Sequence, residues 1–123
     1  MTRKEQTGTR DLAFSGWIRE NLPDSETGFM VSDIDFFLYN YKLNTICVVE
    51  VKTRCAKLKK WQKIFYKNLD KWLNVAIDNS KWDYRGVYIV RFENTCFKDG
   101  RCIINGNVVS EDEAKIILSM GQN

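Results

Sequence analysis

The chain has 123 residues, 44% of them hydrophobic and 13% aromatic, and 19 Lys and Arg against 16 Asp and Glu give a formal net charge of +3. This is enough for a single domain spanning 1–123 with one core, and with so small a net charge the placement of charge matters more than its sum. Histidine is absent, which excludes histidine-activated nucleophiles and zinc sites built on imidazole pairs, and no run approaches the roughly 20 apolar residues of a membrane span.

Residues 1–9 are polar and read as flexible, without the apolar core of a signal peptide, so a cytoplasmic location is expected. Thr9 or Asp11 can cap a helix running to about Asn21, with Leu12, Ala13, Phe14, Trp17 and Ile18 as its apolar face. Glu20 falls at the C-terminal end of this helix, where a carboxylate opposes the helix dipole. Solvation explains it, or a place near a metal. Pro23 to Gly28 is a loop by composition, and Gly28 to Val31 reads as a short strand.

From Ser32 to Arg54 the pattern is that of a hairpin. Ile34, Phe36 and Leu38 alternate with Asp33, Asp35, Phe37 and Tyr39, and in the second run Ile46, Val48, Glu50 and Lys52 share one face. A loop of Tyr41 to Asn44 pairs Asn40 with Thr45 and sets Asp35 opposite Glu50. Side chains so opposed lie about 5 Å apart at Cβ, close enough for two carboxylates to share a divalent cation, with Lys52 beside them. A solvated sheet end with weak surface pairs is the plainer reading of Glu50-Val51-Lys52 taken alone.

Ala56 to Asp78 has the strongest helical period, through Leu58, Trp61, Phe65, Leu69, Trp72, Leu73 and Ala76. Lys59, Lys60, Lys63, Lys67 and Lys71 gather on the other face, following Lys52-Thr53-Arg54, with no acid from Val51 to Leu69. A solvated face accounts for this as well as a phosphate-facing ridge does. Gln62 falls on the apolar side, with Tyr66 one turn on at its edge. It is either a satisfied amide at the helix start or a group aimed at the site.

Gly86 to Phe92 reads as a covered central strand, and a strand, helix and strand in that order imply a right-handed parallel crossover. Cys102 to Ile104 reads as an edge strand before Asn105-Gly106, and Ser110-x-x-Glu113 as the capping box of a last helix to about Met120. Cys47, Cys55, Cys96 and Cys102 lack Cys-x-x-Cys spacing and read as reduced thiols, with a Cys96–Cys102 bridge as the alternative.

The order helix, hairpin, long helix, strand, with Asp35 ahead of Glu50-Val51-Lys52 and Gln62 on the following helix, resembles the PD-(D/E)XK nuclease superfamily over roughly Leu12 to Phe92. Asp33-Ile34-Asp35 and Val48 to Arg54 are similar to small resolvase-type members, and Gln62-x-x-x-Tyr66 to the helix motif of RecB-type members. Ile34 departs from the family's frequent proline, and Asp33 offers a second candidate for the first acid. The resemblance implies an α/β fold with a restriction-endonuclease-like αβββαβ core, its mixed sheet flanked by helices. It implies a Mg²⁺-dependent deoxyribonuclease, Mn²⁺ able to substitute, with Asp35, Glu50, the Val51 carbonyl and Glu20 as metal ligands. Lys52 would position or activate water, Gln62 would support the site, and Arg54, Lys59, Lys60, Lys63 and Lys67 would bind nucleic acid, DNA first, with a homodimer or an accessory protein as a further partner. The competing readings are a non-catalytic nucleic-acid-binding module on the same fold, and a small interaction or inhibitor protein using Trp82 and Tyr84.

Overall fold

A computed structural model describes residues 12–78 and 80–120. The chain divides into two compact units, Met1–Val31 and Ser32–Asn123. In the first, helix α1 spans Ala13–Asn21. Thr9 and Asp11, the expected caps, and the expected flexible start lie outside the described residues. A 3₁₀ turn follows at Ser25–Thr27, where the Asp24 carboxylate accepts the Glu26 N–H at 3.0 Å and Gly28 closes the turn with φ 93°. The strand expected over Gly28–Val31 does not form; after the left-handed glycine, residues 29–34 belong to neither helix nor strand.

The second unit holds a five-stranded mixed sheet: β1 Phe36–Asn40, β2 Thr45–Lys52, β3 Asp83–Phe92, β4 Cys102–Ile104 and β5 Asn107–Val109, in that spatial order. Helix α2, Lys60–Ile77, connects β2 to β3, and helix α3, Glu111–Leu118, follows β5. This is an α/β arrangement with one parallel pair, β2 and β3, as the crossover pattern requires.

The hairpin has the register that its loop length dictates, Asn40 with Thr45 through Phe36 with Val49. The Asn40 side chain accepts the N–H groups of Lys42 and Leu43 at 2.9 and 3.0 Å, and Asn44 takes the left-handed conformation that ends the loop. β3 starts at Asp83 rather than Gly86, because the Asp83 N–H already reaches the Asn44 carbonyl at 2.7 Å. Between Ile46–Tyr84 and Val48–Val87 the ladder gains one residue on β3, and Gly86, at φ 113°, absorbs this bulge.

The sheet has a helix on each face. Val49 and Cys47 of β2, Val90 and Phe92 of β3, and Cys102 and Ile104 of β4 pack with Ala114 of α3 and with Met120 to form the buried core. The opposite face carries Val48, Glu50 and Lys52 of β2 beside Val87, Ile89 and Arg91 of β3, and lies toward α2.

α2 begins four residues later than its apolar period suggests. Arg54 and Cys55 are both left-handed, at φ 54° and 58°, and their N–H groups bond to Asn94 O and Phe92 O at 2.7 and 3.3 Å. Neither side chain favours that conformation, so sequence carries no sign of the break, and Leu58 falls in the connecting segment. Tyr66 is the buried centre of the inward face, whereas Trp61 and Trp72, members of the apolar period, are 40% and 58% exposed.

β4 is an inner strand and not an edge. Asn105 and Gly106, at φ 48° and 86°, make a two-residue hairpin turn to β5, the actual edge. The capping box of α3 forms as read, with Ser110 Oγ and the Glu113 N–H, and Glu113 Oε1 and the Ser110 N–H, each 3.0 Å apart. Cys47, Cys55, Cys96 and Cys102 are free thiols, so no Cys96–Cys102 bridge forms. No helix among the described residues is long and apolar enough to cross a membrane.

Candidate functional site

The carboxyl ends of β2 and β3 and the start of β1 meet at one end of the sheet, the end where ligands of open α/β sheets bind. Asp35 lies one residue before β1. Its Oδ2 accepts the Val51 N–H at 2.9 Å, taking the place of the main-chain oxygen that a longer strand would have offered. The carboxylate is thereby fixed next to Glu50, as the hairpin register implies.

Glu50 is only 4% exposed. Its Oε2 accepts a short hydrogen bond from the Tyr66 hydroxyl, and its Oε1 lies 3.6 Å from Lys52 Nζ. Burial pushes the Glu50 carboxyl above the usual range, and the charge of Asp35 adds to that push, while Tyr66 and Lys52 oppose it. Burial, reinforced by Glu50, likewise raises the Tyr66 phenol, which therefore stays a proton donor at neutral pH. The Tyr66 hydroxyl is also 3.5 Å from the Asp33 main-chain oxygen. Of the two aspartates, Asp35 brings its carboxylate to Glu50, and Asp33 meets Tyr66 through its main chain.

The other residues singled out by sequence are distributed as follows. Gln62 Oε1 accepts the Lys59 N–H at 3.0 Å, so its carbonyl is committed to closing the first turn of α2. The late helix start is the reason, since it makes Gln62 the third helical residue, where a glutamine reaches back to the cap. Lys60, Lys63 and Lys67 step along an exposed face of α2, and Lys59 and Arg54 are exposed on the segment that leads into it. Glu20 is exposed in the last turn of α1, in the unit Met1–Val31.

Two residues to which sequence reasoning gave no role at the site complete the picture. Tyr66 had been placed at the edge of the apolar side, yet it is the donor that holds Glu50. Arg91 is the register partner of Lys52, and its Nε is buried with no hydrogen-bond partner. An arginine inside the apolar run Val87 to Phe92 was the available signal, because such a residue in a covered strand is rarely there for packing.

Among the described residues no group of three or more Asp, Glu, His or Cys side chains forms a metal cluster. The donors on offer are two carboxylates and main-chain oxygens, a hard set that suits Mg²⁺, which keeps several waters and takes one or two carboxylates. The cost of placing a buried Glu50 against Asp35 is of the kind that a cation offsets. Compared with protein-family models, with curated proteins and with solved structures, the chain matches none.

Proposed function

We propose that the chain is a metal-dependent nuclease that hydrolyses phosphodiester bonds, in DNA, on a restriction-endonuclease-like variant of this α/β fold. The observation that carries the reading is Glu50, a carboxylate kept 4% exposed and set against Asp35 at the carboxyl end of a parallel strand pair. A folded chain tolerates that arrangement at a cost, and clustered strained electrostatics of this kind mark functional sites.

In this reading Asp35, Glu50 and the Val51 carbonyl hold Mg²⁺ or Mn²⁺. The bound ion supplies Lewis-acid polarisation of a phosphate oxygen and a more acidic bound water. Tyr66 keeps the Glu50 carboxylate in one rotamer, and the Val51 N–H does the same for Asp35. Lys52 places a fixed positive charge beside them, where charge builds on the phosphate oxygens during attack. Arg54, Lys59, Lys60, Lys63 and Lys67 contribute strand-backbone affinity without sequence information, and Gln62 contributes by fixing the turn that presents Lys59 and Lys60.

The test is Mg²⁺-dependent cleavage of end-labelled duplex, single-stranded and branched DNA at low salt. The wild type is expected to cut, Lys52→Met to lose about 100- to 1,000-fold in rate, and Glu50→Ala to fall to background while binding is retained. A wild type that binds these substrates and cuts none of them removes the hydrolytic reading and leaves a binding module.

A further inference from the structure

Between the start of α2 and β3 the surface opens into two adjoining clefts of about 450 and 280 Å³, which share Leu58, Lys63, Ile89 and Asn105. The smaller adds Lys57, Arg91 and Gly106. Its walls are apolar at Leu58 and Ile89 and cationic at Lys57, Lys63 and Arg91, and no acid lines it. The larger cleft holds one acid, Asp70, which accepts the Tyr84 hydroxyl at 2.8 Å, and one further arginine, Arg85, which pairs with Asp83 at 2.7 Å. Lys57, Lys63 and Arg91 form no ion pair among the described residues.

Arg91 is the unusual member. It is half-buried on a strand, and its Nε is fully enclosed without a partner. A buried Nε without a partner costs free energy, which a charge-assisted bond from the terminal N–H groups of the same guanidinium to an anion in the cleft would offset, and the planar fork matches phosphate as it does carboxylate. One wall shared by the two clefts is fixed in place. Asn105 is fastened to β3 by its Oδ1 accepting the Ile89 N–H at 2.8 Å and its Nδ2 donating to Val87 O at 3.3 Å. With water taking about 30 Å³ apiece, the smaller cleft admits a phosphate group together with several waters.

We infer that this cleft is a phosphate-binding site centred on Arg91, with Lys57 and Lys63 as its flanking cations, and that it holds a phosphate of the nucleic-acid strand next to the one presented to Glu50 and Lys52. Its position follows from the sheet register, because Arg91 and Lys52 are partners on neighbouring strands about 4.8 Å apart. The location relative to a scissile bond rests on the nuclease reading; the binding of phosphate does not. The phosphate is either a terminal monoester or an internal diester, and the two call for the same donors.

The experiment is fluorescence-anisotropy binding in EDTA, where no cleavage occurs, of single strands carrying a 5′-phosphate, a 3′-phosphate or hydroxyl ends, and of a circular strand. Arg91→Met is expected to weaken binding about tenfold at low salt and to lower the log–log salt slope by about 0.7, the value of one lost contact on a single strand. Lys57→Ala, on the exposed connecting segment, is expected to shift both in the same direction. A loss confined to one phosphorylated end assigns the cleft to a terminal monoester; an equal loss on all strands, the circle included, assigns it to an internal diester. Urea melts of Arg91→Met at or above the wild-type midpoint exclude unfolding as the cause, since the change removes an unsatisfied donor. Unchanged affinity and salt slope in both variants overturn the assignment. Cleavage plays no part in this readout, so a wild type that cuts nothing leaves it intact.

Discussion

Glu50 and its three neighbours make opposing demands on one proton. Tyr66 and Lys52 favour the ionised carboxylate, while burial and Asp35 favour the neutral acid and win, so the folded pKa lies above the unfolded one. Below the unfolded value, near 4.3, both states hold the proton and the residue is neutral to stability. As pH rises from there through the raised folded value, the unfolded chain loses its proton first and the folded chain loses stability. Glu50→Gln, uncharged at every pH, should therefore melt above the wild type at pH 7–8 in chelator, with the gap closing toward pH 4. Each kcal/mol recovered corresponds to about 4 °C in melting temperature. Thermal scans across that range check it, and a wild type that matches the variant throughout would deny the buried charge its cost. Asp35, Glu50 and Lys52 were legible in sequence because alternation and a four-residue loop set their register locally. Arg91 was not, because its pairing with Lys52 depends on a crossover and a bulge that no short window contains.

That bulge is a device of β3 as a whole. Gly86 has open space around it, with no atom beyond its chain neighbours within 4 Å of where a Cβ would sit, so only its φ of 113° requires glycine. Gly86→Ala should cost about 1–3 kcal/mol through the backbone alone, read as a lower urea midpoint with an unchanged m-value. A neutral result would mean that β3 reaches Arg91 by another path. Other elements were legible to different degrees for equally physical reasons. The parallel crossover was clear, since a strand, a long amphipathic helix and a second apolar strand admit little else. The start of α2 was misplaced because Leu58 continues the apolar period while serving the cleft, and the left-handed Arg54 and Cys55 look like any other pair. Asn105-Gly106 was read as the end of the sheet, although the two-residue turn it makes leads to β5, a strand of three residues too short to show alternation.

Taken together, the unit Ser32–Asn123 separates its charges by face. The α2 side bears Lys60, Lys63, Lys67 and Lys71, whereas α3, on the core side, opens with Glu111, Asp112 and Glu113, placed where acids favour the helix dipole. A net charge of +3 thus hides a row of cations along α2 that starts, with Lys60 and Lys63, near the carboxyl end of β2, where the two carboxylates sit. Such a row attracts a polyanion, and the acid pair near its start repels one unless a cation intervenes. Calorimetric titration of Mn²⁺ into the full chain at pH 7.5, repeated with Asp35→Asn and Glu50→Gln, asks whether that cation belongs to the site. The wild type should bind one ion per chain and both variants should lose it. Absence of binding in the wild type, or binding undiminished in both variants, would show that the carboxylate pair is not a metal site.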